Sequence, residues 1–319
     1  MTTIPTRILG RTGLKVTLIG LGGGGNSRLG LSTGQDEAHA ADVVRAALDM
    51  GITLIDTARV YGTESAVGRA LAGRRRDGVV VSTKSPYLDQ AGNLLTAQAF
   101  AENIHTSLRE LGLETIDIYF IHGLRLPFYA AARESFLPVL DKARQAGKIR
   151  FIGVTEAFES DTRHEMLQTA VQDNDWDVVM VGFNLLNPSA RERVLAFTQP
   201  KGIGTLGMFA VRRALINESW LRTLLQRLAD SGAVDPTLAS APDLFQTLGL
   251  QGAAESLTDA AYRFAAYEPG MDCVLSGTSS PDHLRANLDS VLRGPLPPAA
   301  LARLKELFGK IDSTSGQVR

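Results

Sequence analysis

Short apolar runs rich in β-branched residues alternate along this chain with longer stretches of helical periodicity. Eight such runs have the length of buried strands, at 14–21, 53–56, 79–83, 117–122, 151–154, 178–183, 204–208 and 272–276. Helical patterns separate them, among others at 36–50, 64–71, 97–111 and 131–146. The alternation predicts right-handed crossovers and a parallel sheet covered on both faces. An open doubly wound sheet would show the same alternation, but eight strand–helix units favour a closed α/β fold, the (β/α)₈ TIM barrel.

Two features decorate this predicted barrel, and neither divides it. The glycine-rich segment 8–15 predicts a β-hairpin ahead of the first barrel strand. Between the seventh and eighth strands, residues 210–255 form a connection much longer than usual, with a helical pattern at 219–230. Connections of this length in compact domains are usually functional, so we expect part of it to be an ordered flap over the site. The polar tail after Ile311 is a poor candidate for a lid. We expect residues 1–319 to form a single domain.

Composition excludes several classes of function. The chain has 319 residues, a formal net charge of −1 and a single cysteine, Cys273. Near-neutral charge without a clustered basic face argues against nucleic acid or an anionic membrane as a partner. One cysteine excludes an intrachain disulfide and a cysteine-based metal site, and we expect no bound metal. Without an apolar signal core or a membrane-length apolar run, the expected location is the cytoplasm.

Ionisable residues follow three neighbouring strands of the predicted barrel. Asp56 ends the second strand, and Tyr61 lies in the turn after it. Lys84 ends the third strand and His122 the fourth. Reactive groups of (β/α)₈ barrels lie at the carboxyl ends of the strands, so these four side chains are expected to converge. A buried lysine needs a charged partner, and Asp56 would supply one for Lys84.

Along nearly its whole length the sequence resembles the aldo-keto reductase family. The resemblance rests on ordered segments: 9–22, the run Gly51-Ile52-Thr53-Leu54-Ile55-Asp56-Thr57-Ala58 leading to Val60-Tyr61-Gly62, Ser82-Thr83-Lys84, Ser107-Leu108, Asp117-Ile118-Tyr119 before His122, 147–154, and 277–288. The family's Asp–Tyr–Lys–His tetrad falls on Asp56, Tyr61, Lys84 and His122 without substitution. The resemblance implies an NAD(P)H-dependent oxidoreductase that reduces an aldehyde or ketone to an alcohol.

That resemblance gives each member of the tetrad a role. Tyr61 would donate the proton that the developing alkoxide needs. A lysine cation about 4 Å away contributes roughly 4 kcal/mol at an effective dielectric of about 20, so Lys84 is expected to lower the pKa of Tyr61 by up to about three units. Asp56 would hold Lys84 charged, and a neutral His122 would orient the carbonyl oxygen by hydrogen bonding.

The cofactor residues are less regular than the tetrad. No GxGxxG follows a strand, but the glycine run that contains Gly23 resembles the family's first loop beside the nicotinamide. The positions implied to contact the nicotinamide are Thr155, Glu156, Met180, Met208 and Phe209. The adenosine end is implied at Gly277, Thr278, His283 and Asn287, ahead of a helix that Pro281 would begin. The family often has basic residues at 277 and 283, and Arg285 would substitute for them here. NADPH is therefore the expected cofactor, with NADH possible.

Three other functions share some of these residues. The same tetrad run in reverse would oxidise a sugar lactol or another alcohol. A Schiff-base aldolase would explain Lys84 but not Tyr61 or the adenosine-like segment. A cofactor-sensing regulatory subunit would keep the fold and fits the departures at Glu156 and Met180.

The expected ligand is a small carbonyl or sugar-like molecule, bound by a monomer or small homo-oligomer. Loops carrying Tyr87, residues 124–128 and Phe158 would line a moderately hydrophobic mouth. Arg59 or Arg125 would serve any polar or anionic group on the substrate.

Overall fold

A computed structural model describes residues 3–318 of the chain. The strands are β1 Thr6–Ile8, β2 Lys15–Thr17, β3 Ile19–Gly22, β4 Leu54–Asp56, β5 Val80–Ser85, β6 Ile116–Leu124, β7 Ile149–Glu156, β8 Val178–Gly182, β9 Gly204–Met208 and β10 Cys273–Ser276. The helices are α1 Glu37–Asp49, α2 Glu64–Leu71, α3 Ala97–Leu111, α4 Tyr129–Gln145, α5 Glu165–Ala170, α6 Ala196–Lys201, α7 Glu218–Asp230, α8 Pro236–Ala239, α9 Leu244–Thr247, α10 Leu257–Ala266, α11 Pro281–Leu292 and α12 Pro298–Phe308.

The strands from β3 to β10 close into a parallel barrel. Each pairs with the next in chain order, and β10 returns to pair with β3. The predicted (β/α)₈ TIM barrel is therefore confirmed. Parallel pairing brings the carboxyl ends of all these strands to one rim, and helices cover the outer face of the barrel.

The N-terminal hairpin is also present, and it closes the opposite rim. β1 pairs antiparallel with β2 around a 3₁₀ turn. Leu9, Leu14 and Val16 belong to the same buried cluster as the barrel-lining side chains Phe120 and Leu206. The single strand predicted at 14–21 was wrong: the chain breaks at residue 18, so that one half joins the hairpin and the other enters the barrel.

The long connection after β9 is confirmed, but its role as a flap is not. Its helices α7, α8 and α9 contribute Leu224, Leu238 and Leu244 to the large cluster that packs around the barrel. These buried leucines show that the helices of the connection pack against the outside of the barrel. The part of the insertion that reaches the carboxyl-end rim is its first turn, Arg213–Leu215, with the residues beside it.

Local chemistry sets several helix boundaries. Asp36 accepts a hydrogen bond from the His39 amide at the start of α1, and Ser280 accepts one from the His283 amide at the start of α11. These are N-cap interactions that satisfy otherwise unpaired amides. Gly112 ends α3 with a φ of 61°, a conformation that glycine adopts without strain. Within residues 3–318, no helix combines the length and hydropathy needed to cross a membrane.

Candidate active site

The four predicted reactive side chains meet at the carboxyl-end rim. Asp56 is the last residue of β4, and Lys84 and His122 lie near the ends of β5 and β6. Tyr61 is carried by a 3₁₀ turn, Arg59–Tyr61, that follows β4. Because these strands are consecutive neighbours in the barrel, residues 28 to 66 positions apart in sequence become adjacent in space.

Lys84 is buried with two oxygen acceptors for its ammonium group. Its exposed fraction is 1%, and Nζ donates to Asp56 Oδ2 at 2.6 Å and to the Thr57 carbonyl at 2.8 Å. The other Asp56 oxygen accepts from the Ser82 hydroxyl at 2.7 Å. Burial by itself lowers the pKa of Lys84, but Asp56 and Tyr61 together raise it above the ordinary value, so this lysine stays charged.

Tyr61 lies between the lysine and the histidine. Its ring centre is 5.0 Å from Lys84 Nζ, and its Oη is 3.3 Å from His122 Nε2. The Tyr61 and His122 rings pack edge to face at 5.3 Å. Gly24 allows this placement, since a Cβ there would lie 2.5 Å from the tyrosine ring. The phenol hydroxyl therefore has an imidazole nitrogen within hydrogen-bonding distance.

The pKa of Tyr61 shifts in the opposite direction to the one expected, whereas the pKa of His122 agrees with the expectation. Burial raises the pKa of Tyr61, and Lys84 opposes that rise without overcoming it. The expected net lowering was wrong, because removing the phenolate from water outweighs its attraction to the lysine. Burial and the Lys84 charge lower the pKa of His122 from 6.5 to about 3, as the expected neutral imidazole requires. Tyr61 is thus a neutral acid, and His122 is a neutral imidazole, at physiological pH.

A cavity of about 360 Å³ runs from Tyr61 across the rim to the start of α11. Six of the residues predicted to contact the cofactor line it, together with Asp56 and Tyr61. The six are Met180, Met208, Phe209, Gly277, Thr278 and His283. Two members of the tetrad, Asp56 and Tyr61, therefore share one space with most of the predicted cofactor positions.

The far end of this cavity lies at the N-terminus of α11. Thr278 lies just ahead of α11, and the amides of the first turn of this 12-residue helix favour an anion. Gly277 opens toward the cavity: a Cβ placed there would meet nothing closer than 3.7 Å. The cavity therefore extends from Tyr61 to the residues at the N-terminus of α11.

Four predicted cofactor residues lie outside this cavity. Thr155 Oγ1 accepts from the Gly123 amide at 2.7 Å, and Asn287 donates to the Ser276 hydroxyl at 3.0 Å. Gly23 is needed for packing, since a Cβ there would lie 2.8 Å from Thr63 Oγ1. Thr155 and Asn287 therefore use their side chains in hydrogen bonds within the protein, and Gly23 is required for close packing.

Glu156 is the fourth and the most displaced from its predicted place. Its side chain is fully buried and paired with His164. Burial raises the pKa of Glu156, against the opposing effects of His164 and the Gly182 amide. Phe158, expected at the mouth, is also buried, at 1% exposure. Arg285 is exposed on α11 and lies outside the cavity.

Sequence reasoning missed the contribution of the C-terminal tail. Gln317 lines the cavity, and the tail is held by Asn184, which donates to the Ser315 carbonyl, and by Asn187, which donates to the Thr314 carbonyl. The tail, which the sequence indicated only as a poor candidate for a lid, therefore contributes one residue to the cavity wall. The polar sequence of the tail has no periodicity that would predict this contact. The available signal lies after β8, where Asn184 and Asn187 are both buried and need backbone groups as hydrogen-bond partners.

The start of the insertion supplies two arginines to the same cavity. Arg212 stacks its guanidinium 4.2 Å from the Phe209 ring and pairs with Glu159. Arg213 stacks 4.6 Å from the Trp220 ring. Phe209 itself has a φ of 65°, which is uncommon for a residue with a Cβ. The dipeptide Arg212-Arg213, four residues after the end of a barrel strand, was the available sequence signal for a basic cavity wall.

Comparison with known proteins agrees with the fold. The profile of the Aldo/keto reductase family matches residues 18–308. The chain is 30% identical to aldo-keto reductase YhdN of Bacillus subtilis, over 86% of this chain and 85% of that protein. It is 27% identical to L-galactose dehydrogenase of Arabidopsis thaliana, over 91% and 89% of the two chains. The structure of aldo-keto reductase AKR11C1 from Bacillus halodurans, in its holo form, superposes with a TM-score of 0.74 at 21% identity, over 98% of both chains.

The family match spans most of the chain, and the fold agrees with it. The chain belongs to the aldo/keto reductase family and is an oxidoreductase that reduces carbonyl groups with NAD(P)H.

Proposed function

We propose that this enzyme reduces an aldehyde or ketone to an alcohol with Tyr61 as the proton donor. The observation that carries the proposal is the placement of Tyr61, whose hydroxyl is 3.3 Å from His122 Nε2 and whose side chain lines the cavity that reaches α11. A carbonyl oxygen placed between the phenol and the imidazole would meet a hydrogen-bond donor from each. The buried Lys84–Asp56 pair lies directly behind the phenol.

The side chains divide the acid–base work among them. When bound, the reduced nicotinamide supplies a hydride to the carbonyl carbon. Tyr61 gives its proton to the oxygen that becomes negative, and the Lys84 cation stabilises the phenolate that remains. Asp56 keeps Lys84 charged and in place. Neutral His122, with its proton on Nε2, donates to the same oxygen and so fixes the orientation of the carbonyl.

We infer NADPH as the cofactor, with NADH as the alternative to compare. The support is the anion-favouring start of α11 together with Arg212 and Arg213, which add positive charge to the same cavity. Neither position 277 nor position 283 carries a lysine or arginine, so the 2′-phosphate would depend on Thr278, His283 and the helix amides. The ratio of the dissociation constants of NADH and NADPH measures this preference directly.

The reverse reaction is the second candidate. Proton transfer through Tyr61 works in both directions, and one full-length relative is an L-galactose dehydrogenase. Its similarity over 91% of this chain makes sugar lactols the first alcohols to test. In that direction Tyr61, as phenolate beside Lys84, takes up the proton from the alcohol.

The test follows absorbance of the reduced nicotinamide with NADPH and NADH separately, across aldehydes, ketones and sugars. Tyr61→Phe is the key variant, and Tyr267→Phe is the matched control, because the Tyr267 hydroxyl donates to the Val291 carbonyl outside the cavity. Turnover should fall by about 10²–10⁴ in Tyr61→Phe alone. Turnover that survives in Tyr61→Phe would overturn the role of Tyr61. Tight cofactor binding by the wild type without turnover of any substrate would favour the regulatory subunit.

A further inference from the structure

Two titratable side chains are buried behind the cavity wall, apart from the group that carries the proposed chemistry. Glu156 ends β7, and His164 precedes α5; the side chains of both are 0% exposed. Both Glu156 carboxylate oxygens lie 3.0 Å from His164 Nδ1, so this nitrogen carries a proton and donates it. Within residues 3–318, His164 Nε2 is buried without a partner. Such a pair stabilises a fold less well than apolar side chains of the same size, so another role accounts for it better.

Glu156 also holds the end of the neighbouring strand. Its Oε1 accepts from the Gly182 amide at 2.7 Å, and Gly182 is the last residue of β8. Gly182 pairs in register with Met208, the last residue of β9. The ring of Phe158 lies against Gly182, where a Cβ would approach that ring to 2.2 Å. The carboxylate and the ring therefore both fix the rim where the cavity begins.

Three nearly parallel rings connect the buried pair to the cavity. His164 stacks on Phe158 with ring centres 5.2 Å apart and planes 13° apart. Phe158 stacks on Phe209 at 6.2 Å and 20°. Phe209 lines the cavity. Because protein interiors are close-packed, a displacement of the His164 ring would be passed to Phe209.

The backbone of Phe209 is held in an unfavourable conformation. Its φ is 65°, and its carbonyl accepts from the Asn184 side chain at 3.2 Å. Such conformations persist where the surroundings over-determine them, and they cluster at functional sites. The stack on Phe158 and the bond from Asn184 supply those constraints here. The structure thus maintains one particular orientation of the Phe209 ring.

Besides Phe209 and the Arg212 guanidinium stacked on it, the side chains of Met180 and Met208 line the cavity. Since Glu156 is directed away from the cavity, a flat ring bound there depends on packing rather than on a carboxylate. We propose that Glu156 is a positioning residue: through Gly182 and the His164–Phe158 stack, it holds Phe209 in the orientation against which the nicotinamide ring packs. This inference rests on the proposed function.

Loss of the carboxylate should weaken binding of the nicotinamide half alone. In Glu156→Ala, Gly182 and His164 both lose their acceptor, and the rings of Phe158 and Phe209 are free to move. We expect the dissociation constant of the dinucleotide to rise about tenfold, which corresponds to about 1.4 kcal/mol. Glu156→Gln keeps an oxygen for Gly182 and an amide beside His164, so its affinity should be intermediate.

The experiment compares the dinucleotide that the wild type prefers with its adenosine fragment, 2′,5′-ADP for NADPH or 5′-ADP for NADH. Dissociation constants are measured by titration calorimetry, and the emission of the reduced nicotinamide reports the ring's surroundings. Asp117→Asn is the matched control: Asp117 also accepts a strand amide, from Val81, and pairs with cations, but at the opposite rim. Phe158→Leu breaks the stack while leaving the Glu156–His164 pair in place, and it decides the question if Glu156→Ala does not fold.

Weaker dinucleotide binding with unchanged fragment binding, in Glu156→Ala and Phe158→Leu but not in Asp117→Asn, would support the proposal. Unchanged dinucleotide binding in a folded Glu156→Ala, or equal losses of dinucleotide and fragment, would overturn it. If Glu156→Ala is unfolded, unchanged dinucleotide binding by Phe158→Leu would do the same. A wild type that binds neither NADPH nor NADH would remove the proposed function, and this inference with it.

Discussion

The Lys84 ammonium lies 2.6 Å from an Asp56 carboxylate oxygen, and both side chains are shielded almost completely from solvent. A buried ion pair of this kind adds little net stability compared with apolar residues, but removing one partner leaves an uncompensated charge. Mutation of either residue should therefore change two measurable quantities, the free energy of unfolding and the rate of turnover.

Lys84→Met should destabilise the enzyme by roughly 3–5 kcal/mol, because Asp56 is left buried without its cation. The double variant Lys84→Met/Asp56→Asn should recover most of that loss, since neither remaining group is charged. Urea unfolding of the three proteins measures both effects. Turnover should stay low in the double variant as well as in the single one. A double variant as unstable as Lys84→Met would show that the lost cation is not the cause.

His122 should make the folded enzyme sensitive to acid. Its folded pKa is about 3 against 6.5 in the unfolded chain. Between these values the unfolded state binds a proton that the folded state does not, so stability is complete above pH 6.5 and falls as the pH drops toward 3. At pH 5 the loss from this residue is up to about 2 kcal/mol.

This pH effect is measured by urea unfolding at pH 7 and pH 5. His122→Gln should lose less stability over that interval than the wild type does. His105→Gln, altered at a half-exposed position on α3, serves as the control and should behave like the wild type. Equal pH dependence in the wild type and His122→Gln would contradict the assignment of this buried neutral imidazole.

The tail should detach from the cavity wall in Asn184→Ala. The carbonyls of Phe209 and Ser315 both lose their donor, and leaving buried carbonyls unpaired costs about 1–3 kcal/mol. We expect faster removal of the tail by carboxypeptidase, and a few-fold weaker dinucleotide binding because both Gln317 and Phe209 lose a constraint that holds them at the cavity. Asn93→Ala, at an exposed turn, is the control. A tail equally resistant to carboxypeptidase in Asn184→Ala would show that Asn184 does not hold it.

A basic side chain at position 277 should raise the preference for NADPH. Gly277 lines the cavity just ahead of α11, and a Cβ there would make only ordinary van der Waals contact, 3.7 Å from the Gly22 and Gly24 carbonyl oxygens, so Gly277→Lys can place an ammonium there without displacing backbone. A charge-assisted bond to a 2′-phosphate contributes about 1.5–3 kcal/mol, so the affinity for 2′,5′-ADP should rise by about tenfold or more. Arg285→Ala should change this affinity little. A gain that appears equally with 5′-ADP would show that the lysine contacts another phosphate.

The barrel and the four reactive residues were predictable because their signals are local. Strand length, apolar content and helix periodicity are properties of short segments, and parallel connections leave few arrangements for eight such units. Once the barrel is assumed, a polar residue at the end of a strand must lie at the carboxyl-end rim. That reasoning placed Asp56, Lys84 and His122 correctly, although their roles stay a prediction.

Only the tertiary structure decided which way several side chains face and what surrounds them. Glu156 ends its strand like the other rim residues, yet it turns to a histidine eight positions further on rather than to the cavity. Gln317 reaches the cavity through bonds from Asn184 and Asn187, more than 120 residues away. The direction of the Tyr61 pKa depends on how completely the phenol is desolvated, which no neighbour in sequence determines. These properties arise from contacts between distant segments, and no pattern within any one segment encodes them.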